Sequence, residues 1–198
     1  LKNVRVVDLL GGPVREKIKV GSWSSHRTTA EVGEIASNFA ALGYDCIKFK
    51  TDLEDDVAGW ATAIKRAAPD MKIIFDPNER WISSAEVKTR IDALKEIGNT
   101  LCIEDPISRW KIEEYAQIRS YSPIPIVLHV SLPYVDHGQR VHDAIRAIQH
   151  KAIDGFNFNC GFAHFQKLDH IATAAELPCW HGSEIDLGIM EAMYLHSC

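Results

Sequence analysis

The sequence predicts an α/β fold, a TIM-type (β/α) barrel of which about seven strand-helix units are present. Short apolar segments alternate with longer helical segments throughout the 198 residues, the pattern of parallel strands joined by right-handed crossovers. In addition, chemically functional residues end six successive strands at intervals of 24 to 28 residues, the length of one strand, one helix and two loops: Lys50, Asp76, Glu104, His129, Asn157 and His181.

Two architectures suit this alternation, an open doubly wound sheet and a closed eight-stranded barrel. A doubly wound sheet usually places its site at one switch point, whereas a barrel collects side chains from many strand ends. Functional groups on six successive strands therefore favour the barrel. Because a complete barrel typically needs about 250 residues, we expect the chain to lack an eighth strand and its helix.

The predicted elements follow one another in a regular order. The strands are expected at residues 18–23, 46–50, 72–76, 101–104, 126–129, 155–158 and 178–181. The helices are expected at about residues 28–42, 55–68, 84–98, 111–121, 140–151 and 162–176, with a last one from about Asp186. Gly43 and Pro69 follow the first two helices and end them. Since no linker or change of composition interrupts the series, we predict one domain over residues 1–198.

The composition excludes several classes of protein. The net charge is −5 and hydrophobic residues make up 46%, which does not favour nucleic acid or anionic lipid as partners. No apolar stretch approaches the roughly 20 residues of a membrane span, and no signal-peptide pattern is visible. The five cysteines are odd in number and scattered, as expected of free thiols in a reducing compartment. We therefore predict a cytoplasmic protein.

Two lysines end the second predicted strand. Lys48 and Lys50 are two residues apart and point to the same side, while Phe49 points to the helices. Because neighbouring ammonium groups and burial both lower a lysine pKa, this pair is expected to supply a general base near neutral pH. The alternative is a pair of surface lysines on an edge strand.

Acidic residues end the next two strands. Asp76 and Glu104 lie at the tips of neighbouring parallel strands, which are about 5 Å apart. Two carboxylates at that distance repel each other and together suit a hard divalent cation. Taken singly, either acid could instead begin the loop that follows its strand.

Several motifs resemble the enolase superfamily, specifically its mandelate racemase and muconate lactonizing branch. They are residues 9–15 (LLGGPVR), 48–50 (KFK), 75–81 (FDPNERW) and 103–106 (IEDP). In that family Mg²⁺ is held by acids that end the third, fourth and fifth barrel strands. It binds the substrate carboxylate and stabilises the enediolate that forms when a base removes the α-proton.

The resemblance implies a role for each matching position. Lys50 is the implied base, Lys48 its pKa-lowering or carboxylate-contacting neighbour, and Asp76 and Glu104 are implied metal ligands. Asn78 is an implied supporting group beside the metal. Family members also carry an N-terminal α+β capping domain that largely selects the substrate. No such domain precedes Leu1, so we expect the chain to be part of a longer protein, and we expect a homo-oligomer.

The third metal position departs from the family pattern. It falls on His129, where the family has Asp or Glu. Imidazole suits Mn²⁺, Fe²⁺ or Zn²⁺ better than Mg²⁺. The change therefore implies weaker Mg²⁺ binding, another divalent metal such as Mn²⁺, or a substitute ligand such as Asp136. Alternatively, His129 only forms a hydrogen bond at the strand end.

The sixth and seventh strands depart as well. Where some family members place a second catalytic lysine, this chain has Asn159, which cannot exchange a proton near neutral pH. A symmetric two-lysine racemase is therefore disfavoured. His181 suits an acid or base on the opposite face of the substrate, with Asn157 or Asn159 holding its ring, or it is a packed and non-catalytic residue. Glu184 and Asp186 are weaker candidates.

Together these features predict an enzyme that abstracts the proton α to a carboxylate of a small molecule, with Mg²⁺ as cofactor. A hydroxy-acid or sugar-acid dehydratase or a racemase is the first interpretation. A muconate-type cycloisomerase is the alternative. A non-catalytic relative that keeps the fold for binding is also consistent with the changes at His129 and Asn159.

Overall fold

A computed structural model describes residues 3–131, 137–183 and 187–198. In these residues seven strands alternate with eight helices. The strands are β1 (Ser22–Ser24), β2 (Cys46–Lys50), β3 (Lys72–Asp76), β4 (Thr100–Glu104), β5 (Ile126–Ser131), β6 (Gly155–Asn159) and β7 (Cys179–His181). The helices are α1 (Val6–Leu9), α2 (Thr29–Ala41), α3 (Val57–Ala67), α4 (Ser84–Lys95), α5 (Ile112–Tyr121), α6 (His137–Gln149), α7 (Phe162–Ala174) and α8 (Gly188–Ser197).

The predicted elements agree with these bounds to within about three residues except for the first strand, and helix α1 was not predicted. The first strand is shorter than predicted, because only Ser22–Ser24 pair with β2 while residues 18–21 are exposed or half-buried. Helix α6 begins at His137 rather than near residue 140. The predicted start of the last helix at Asp186 lies outside the described residues, and α8 begins at Gly188.

The chain divides into two compact units. The larger unit comprises residues 20–128 and 146–154, and in it β1 to β5 pair in parallel in chain order. The smaller unit comprises the described residues of 1–19, 129–145 and 155–198, and in it β6 and β7 pair in parallel. In the described part of the chain, no helix is both long enough and apolar enough to cross a bilayer.

The strands of the larger unit alternate their side chains between two environments. Phe49, Phe75 and Ile103 occupy matched register positions on three neighbouring strands, and all three are fully buried. Trp60 of α3 packs against Phe49 with ring centroids 5.6 Å apart. Each such side chain stabilises the fold by roughly 1.5–3 kcal/mol. Because strand side chains alternate, the residues on either side of these three face the other way.

An aromatic cluster forms the core of the smaller unit. Phe156 and Phe158 of β6 stack with centroids 5.0 Å apart, and Phe165 of α7 meets Phe158 edge-on at 6.3 Å. The intervening Asn157 and the last strand residue, Asn159, therefore lie on the opposite face of β6. Both asparagines are buried nonetheless.

Candidate active site

The strand register of the larger unit brings the lysines and the acids together. Lys50 lies opposite Asp76 in the β2–β3 ladder. Phe75 lies opposite Ile103 in the β3–β4 ladder, so the next residues, Asp76 and Glu104, end neighbouring strands side by side. The four charged groups therefore lie near the same edge of the sheet, at the carboxyl ends of its parallel strands.

The side chains meet in a network of ion pairs. Lys48 Nζ lies 2.9 Å from Oε1 of Glu104 and 3.1 Å from Oδ2 of Asp76. Lys50 Nζ lies 2.5 Å from the same Oδ2 of Asp76. Both carboxylates are fully buried, whereas the lysine side chains are 19% and 23% exposed. The lysine side chains are therefore the partly exposed members of the network.

The electrostatics differ from the sequence-based prediction. Burial lowers the pKa of Lys48, but the charges of Glu104 and Asp76 and their hydrogen bonds outweigh it and raise the pKa above its ordinary value. The predicted lowering is therefore wrong for Lys48, because the two paired carboxylates outweigh the effect of burial on its pKa. Burial would raise the pKa of Asp76, yet Lys48 and Lys50 hold it below its usual range.

The two carboxylates fit a divalent cation. The positively charged Lys48 ammonium group contacts Asp76 and Glu104 at the same time. The two acids therefore already converge on one cation. Their oxygens are hard ligands, and Mg²⁺ is commonly held by one or two carboxylates with water or substrate completing its shell. Among residues 3–131, 137–183 and 187–198, no group of three or more His, Cys, Asp or Glu side chains converges in this way.

The loop that follows Asp76 contains the predicted supporting residue. The backbone N–H of Asn78 donates to Oδ1 of Asp76 at 3.1 Å, which leaves the Asn78 side chain out of this contact. Asn78 and Glu79 both adopt left-handed backbone, with φ of 46° and 69°, and Asp105 directly after Glu104 does the same at 45°. The chain therefore turns sharply just beyond each acid.

Three arginines that sequence reasoning missed contact the loops that follow Lys50, Asp76 and Glu104. Arg80 lies 3.1 Å from Asp52 and donates to the Thr51 carbonyl at 3.3 Å.

Arg90 donates to the carbonyls of Leu53 and Asp55 at 2.6 and 3.1 Å. Arg109 contacts Glu79 and Asp105. A signal was available for Arg80 and Arg109, since an Arg-Trp pair follows each acidic strand, at 80–81 and 109–110.

The smaller unit holds the predicted residues of the later strands. His129 is half-buried and lies in the second half of β5, which belongs to this unit. Asn157 is 1% exposed and Asn159 is 8% exposed. A Cβ atom at Gly182 would lie 2.3 Å from Oδ1 of Asn157, so the asparagine amide packs directly on a glycine at the end of β7. The weaker candidates Asp136, Glu184 and Asp186 lie outside the described residues.

His181 is enclosed by aromatic rings and carbonyl groups. Its ring stacks on Phe165 with centroids 4.5 Å apart and on Tyr194 at 4.2 Å. Nδ1 lies 2.8 Å from the Gly182 carbonyl oxygen and Nε2 lies 3.0 Å from that of Cys160. A neutral imidazole has one N–H, so only the protonated ring donates to both. These contacts suit a packed histidine, and the predicted acid-base role stays a prediction.

Comparison with known proteins identifies the family. A family model described as "Enolase C-terminal domain-like" matches residues 31–198. The chain therefore belongs to the enolase superfamily, in its mandelate racemase and muconate lactonizing branch. The resemblance and the fold class predicted from the sequence, a (β/α) barrel of this superfamily, are both confirmed.

Individual relatives match over most of this chain. The N-succinyl-L-Arg/Lys racemase of Bacillus cereus is 27% identical over 98% of this chain and 52% of its own length. Its crystal structure is similar with a TM-score of 0.85, at 25% identity, over 97% of this chain and 52% of that one. The D-galactarolactone cycloisomerase of Agrobacterium fabrum is 28% identical over 89% of this chain and 46% of its own length.

A third relative was solved with a metal. The crystal structure of a dipeptide epimerase from Cytophaga hutchinsonii, complexed with Mg and the dipeptide D-Ala-L-Val, matches with a TM-score of 0.83. It is 23% identical and the match covers 96% of this chain and 51% of that one, so the likeness concerns the fold. The chain spans about half the length of the curated relatives it matches.

Proposed function

We propose that the protein removes the proton α to the carboxylate of a small molecule, with Lys50 as the base and a divalent cation on Asp76 and Glu104. The observation that carries the proposal is the convergence of two partly exposed lysines on two fully buried carboxylates at the ends of neighbouring strands. Buried charges are costly unless they are paired, so the two carboxylates need the lysines or a metal cation beside them.

Lys50 is the better placed base of the two lysines. It contacts one carboxylate, that of Asp76, whereas Lys48 contacts both Asp76 and Glu104. A general base needs a lone pair near neutral pH, and the two acids raise the pKa of Lys48. We therefore assign proton abstraction to Lys50. Lys48 would orient the substrate carboxylate or the acids.

Asp76 and Glu104 would hold the cation; His129, the third ligand predicted from the sequence, belongs to the smaller unit. When bound, a divalent cation supplies positive charge that stabilises the negative charge developing on the substrate carboxylate. Burial of both acids excludes water from their far sides, which strengthens the electrostatic interactions at the site. Asn78 supports Asp76 through its backbone N–H. Mg²⁺ matches the oxygen ligands, and Mn²⁺ would tolerate His129 as well.

The outcome after proton abstraction is proposed as racemisation or epimerisation, or as dehydration of a hydroxy acid or sugar acid. Relatives named as an N-succinyl-L-Arg/Lys racemase and an L-Ala-D/L-Glu epimerase, each 27% identical to this chain, support the first of these. They act on an N-succinyl amino acid and a dipeptide, so carboxylates with an acylated α-nitrogen are the first substrates to test. Asn159 argues against a second catalytic lysine, so any acid on the opposite face differs from Lys50 in chemistry.

A cycloisomerase is the second candidate. The cycloisomerase from Agrobacterium fabrum, 28% identical to this chain, supports it. The same half-site of Lys50, Asp76 and Glu104 would serve that reaction, since it also passes through a carbanion α to a carboxylate. A non-catalytic relative would keep the fold without proton exchange.

Exchange of the α-proton in deuterated water tests the proposal. The complete protein with Mg²⁺ or Mn²⁺ is incubated with N-acyl amino acids, dipeptides, hydroxy acids, sugar acids and their lactones, and the α-proton signal is followed by NMR. We expect exchange with one class and its loss in Lys50→Ala. Lys72→Ala is the matched control, because Lys72 is exposed at the other end of β3. A cation-loaded protein that exchanges no α-proton in any class would contradict the proposal.

A further inference from the structure

Three left-handed residues follow the two acids. Asn78 and Glu79 come two and three residues after Asp76, and Asp105 comes directly after Glu104, with φ between 45° and 69°. A non-glycine residue in this conformation costs roughly 1–2 kcal/mol. Asparagine and aspartate tolerate it best, whereas Glu79 has no such preference. Contacts elsewhere must therefore hold the backbone in this form.

Arg109 supplies such contacts from the loop after β4. Its Nε lies 2.5 Å from Oε1 of Glu79 and its Nη2 lies 3.3 Å from Oδ2 of Asp105. Asp105 is 1% exposed and the Arg109 side chain is 16% exposed. Burial lowers the pKa of Arg109, but Asp105 and Glu79 outweigh it and raise the pKa. One guanidinium group thus contacts a carboxylate in each of the two loops.

The backbone joins the same two loops. The N–H of Glu79 donates to the Asp105 carbonyl at 2.7 Å, and the N–H of Trp81 donates to the Pro106 carbonyl at 3.1 Å. Trp81 is fully buried, so the second bond lies in the interior. Both left-handed turns are therefore connected to each other, and each begins where an acid ends its strand.

We infer that Arg109 is a positioning residue that, through Glu79 and Asp105, fixes the turns after Asp76 and Glu104 and so makes both carboxylates converge on one cation. This inference rests on the proposed function, since it presupposes that the two acids bind a cation. Residues that orient metal ligands typically contribute 10- to 100-fold to metal affinity. A residue that only stabilises the loops would change unfolding and leave the affinity of the folded protein unchanged.

Arg119 offers a matched control in the same unit. Its Nε lies 2.7 Å from Asp154, and its Nη1 donates to the carbonyl of Lys151 at 3.1 Å. Lys151 also has left-handed backbone, with φ of 51°. Arg119 therefore combines a carboxylate contact with a left-handed turn, as Arg109 does, but none of its partners is adjacent to Asp76 or Glu104.

The test is a titration of the full chain with Mn²⁺, in which free Mn²⁺ is followed by electron paramagnetic resonance, together with thermal unfolding without metal. We expect Arg109→Met to weaken Mn²⁺ binding at least tenfold and Arg109→Lys to recover part of that loss. Arg119→Met should lower the unfolding temperature and bind Mn²⁺ as the wild type does. If Arg109→Met does not fold, Glu79→Gln is expected to weaken binding in the same direction.

The possible failures are distinguishable. A wild-type protein that binds no Mn²⁺ would overturn the proposed function and this inference with it. Wild-type binding that persists unchanged in folded Arg109→Met, or in Glu79→Gln where the first variant does not fold, would overturn the inference alone. Equal weakening in Arg109→Met and Arg119→Met would overturn it too, because the effect would then be a general loss of stability.

Discussion

Lys48 on β2 and Glu104 on β4 form an ion pair of 2.9 Å across the intervening strand β3. The same ammonium group lies 3.1 Å from Asp76 of β3, so a single positive charge joins acids from two strands. Since both acids are fully buried, their charges depend on nearby cations. The arrangement defines where a divalent cation would bind and which side chain it would displace.

Replacement of Lys48 by methionine should destabilise the protein in a metal-dependent way. Removing one partner of a buried ion pair leaves Glu104 without this contact, and we expect the free energy of unfolding to fall by about 2–3 kcal/mol without metal. With saturating Mg²⁺ the difference from wild type should shrink, because the cation takes over the contact. Urea unfolding with and without Mg²⁺ measures both values.

Lys95→Met is the control for that experiment. Lys95 pairs with Asp92 at 2.7 Å on the surface, where both side chains are well exposed, so its loss should cost less than about 1 kcal/mol and be independent of Mg²⁺. A deficit in Lys48→Met that is equal with and without Mg²⁺ would argue against a cation at this position.

Glu104→Gln should weaken Mg²⁺ binding and slow α-proton exchange without changing the volume of the side chain. The amide keeps the volume but loses the charge that attracts a hard cation, so we expect at least tenfold weaker Mg²⁺ binding. The rate of α-proton exchange should fall at least a hundredfold, about 2.7 kcal/mol of barrier. Calorimetry and NMR measure the two effects. Glu113→Gln, at an exposed position, should change neither, and full exchange in Glu104→Gln would refute the assignment of Glu104 as a ligand.

Gly182→Ala should destabilise the smaller unit through Asn157. The new methyl group would lie 2.3 Å from the Asn157 Oδ1 atom, so the buried amide must move, at an expected cost of about 1–3 kcal/mol. The cost should be smaller in an Asn157→Ala background, where the amide is absent. A double-mutant cycle by thermal unfolding measures this coupling, and additive effects would show that the two residues do not interact.

His181→Phe separates packing from catalysis. The phenyl ring keeps the stacking on Phe165 and Tyr194 but donates no hydrogen bond to the carbonyls of Gly182 and Cys160, so we expect a loss of about 1–3 kcal/mol in stability. Turnover on the substrate class found by exchange should stay within about tenfold of wild type. An acid-base role would instead cost roughly 10²- to 10⁴-fold in turnover, in addition to the loss of stability.

The sequence predicts the part of the site that strand geometry determines. Lys50, Asp76 and Glu104 end neighbouring parallel strands, so their spacing along the chain was sufficient to place them together, and Lys50 indeed lies opposite Asp76. The sign of the Lys48 pKa shift depended on distances to Glu104 and Asp76 that spacing does not provide.

Loop and packing contacts were beyond sequence reasoning. The contact of Arg109 with Glu79 joins residues 30 positions apart. It also requires left-handed backbone at Glu79, which the sequence does not indicate because the residue is not a glycine. The enclosure of His181 depends on rings from two helices, at Phe165 and Tyr194. The expectation that a longer protein supplies the eighth strand and an N-terminal capping domain stays a prediction.

A crystal structure of the protein grown with Mn²⁺, with the ion located by its anomalous scattering, would show whether Asp76 and Glu104 bind a cation. We predict one Mn²⁺ coordinated directly by carboxylate oxygens of Asp76 and Glu104. The Lys48 ammonium group should have moved away from its position between the two acids, and the Lys50 side chain should remain partly exposed. The same map would show whether His129 coordinates the ion. Saturating Mn²⁺ that leaves Lys48 bridging the two acids, with no ion bound between them, would contradict the account.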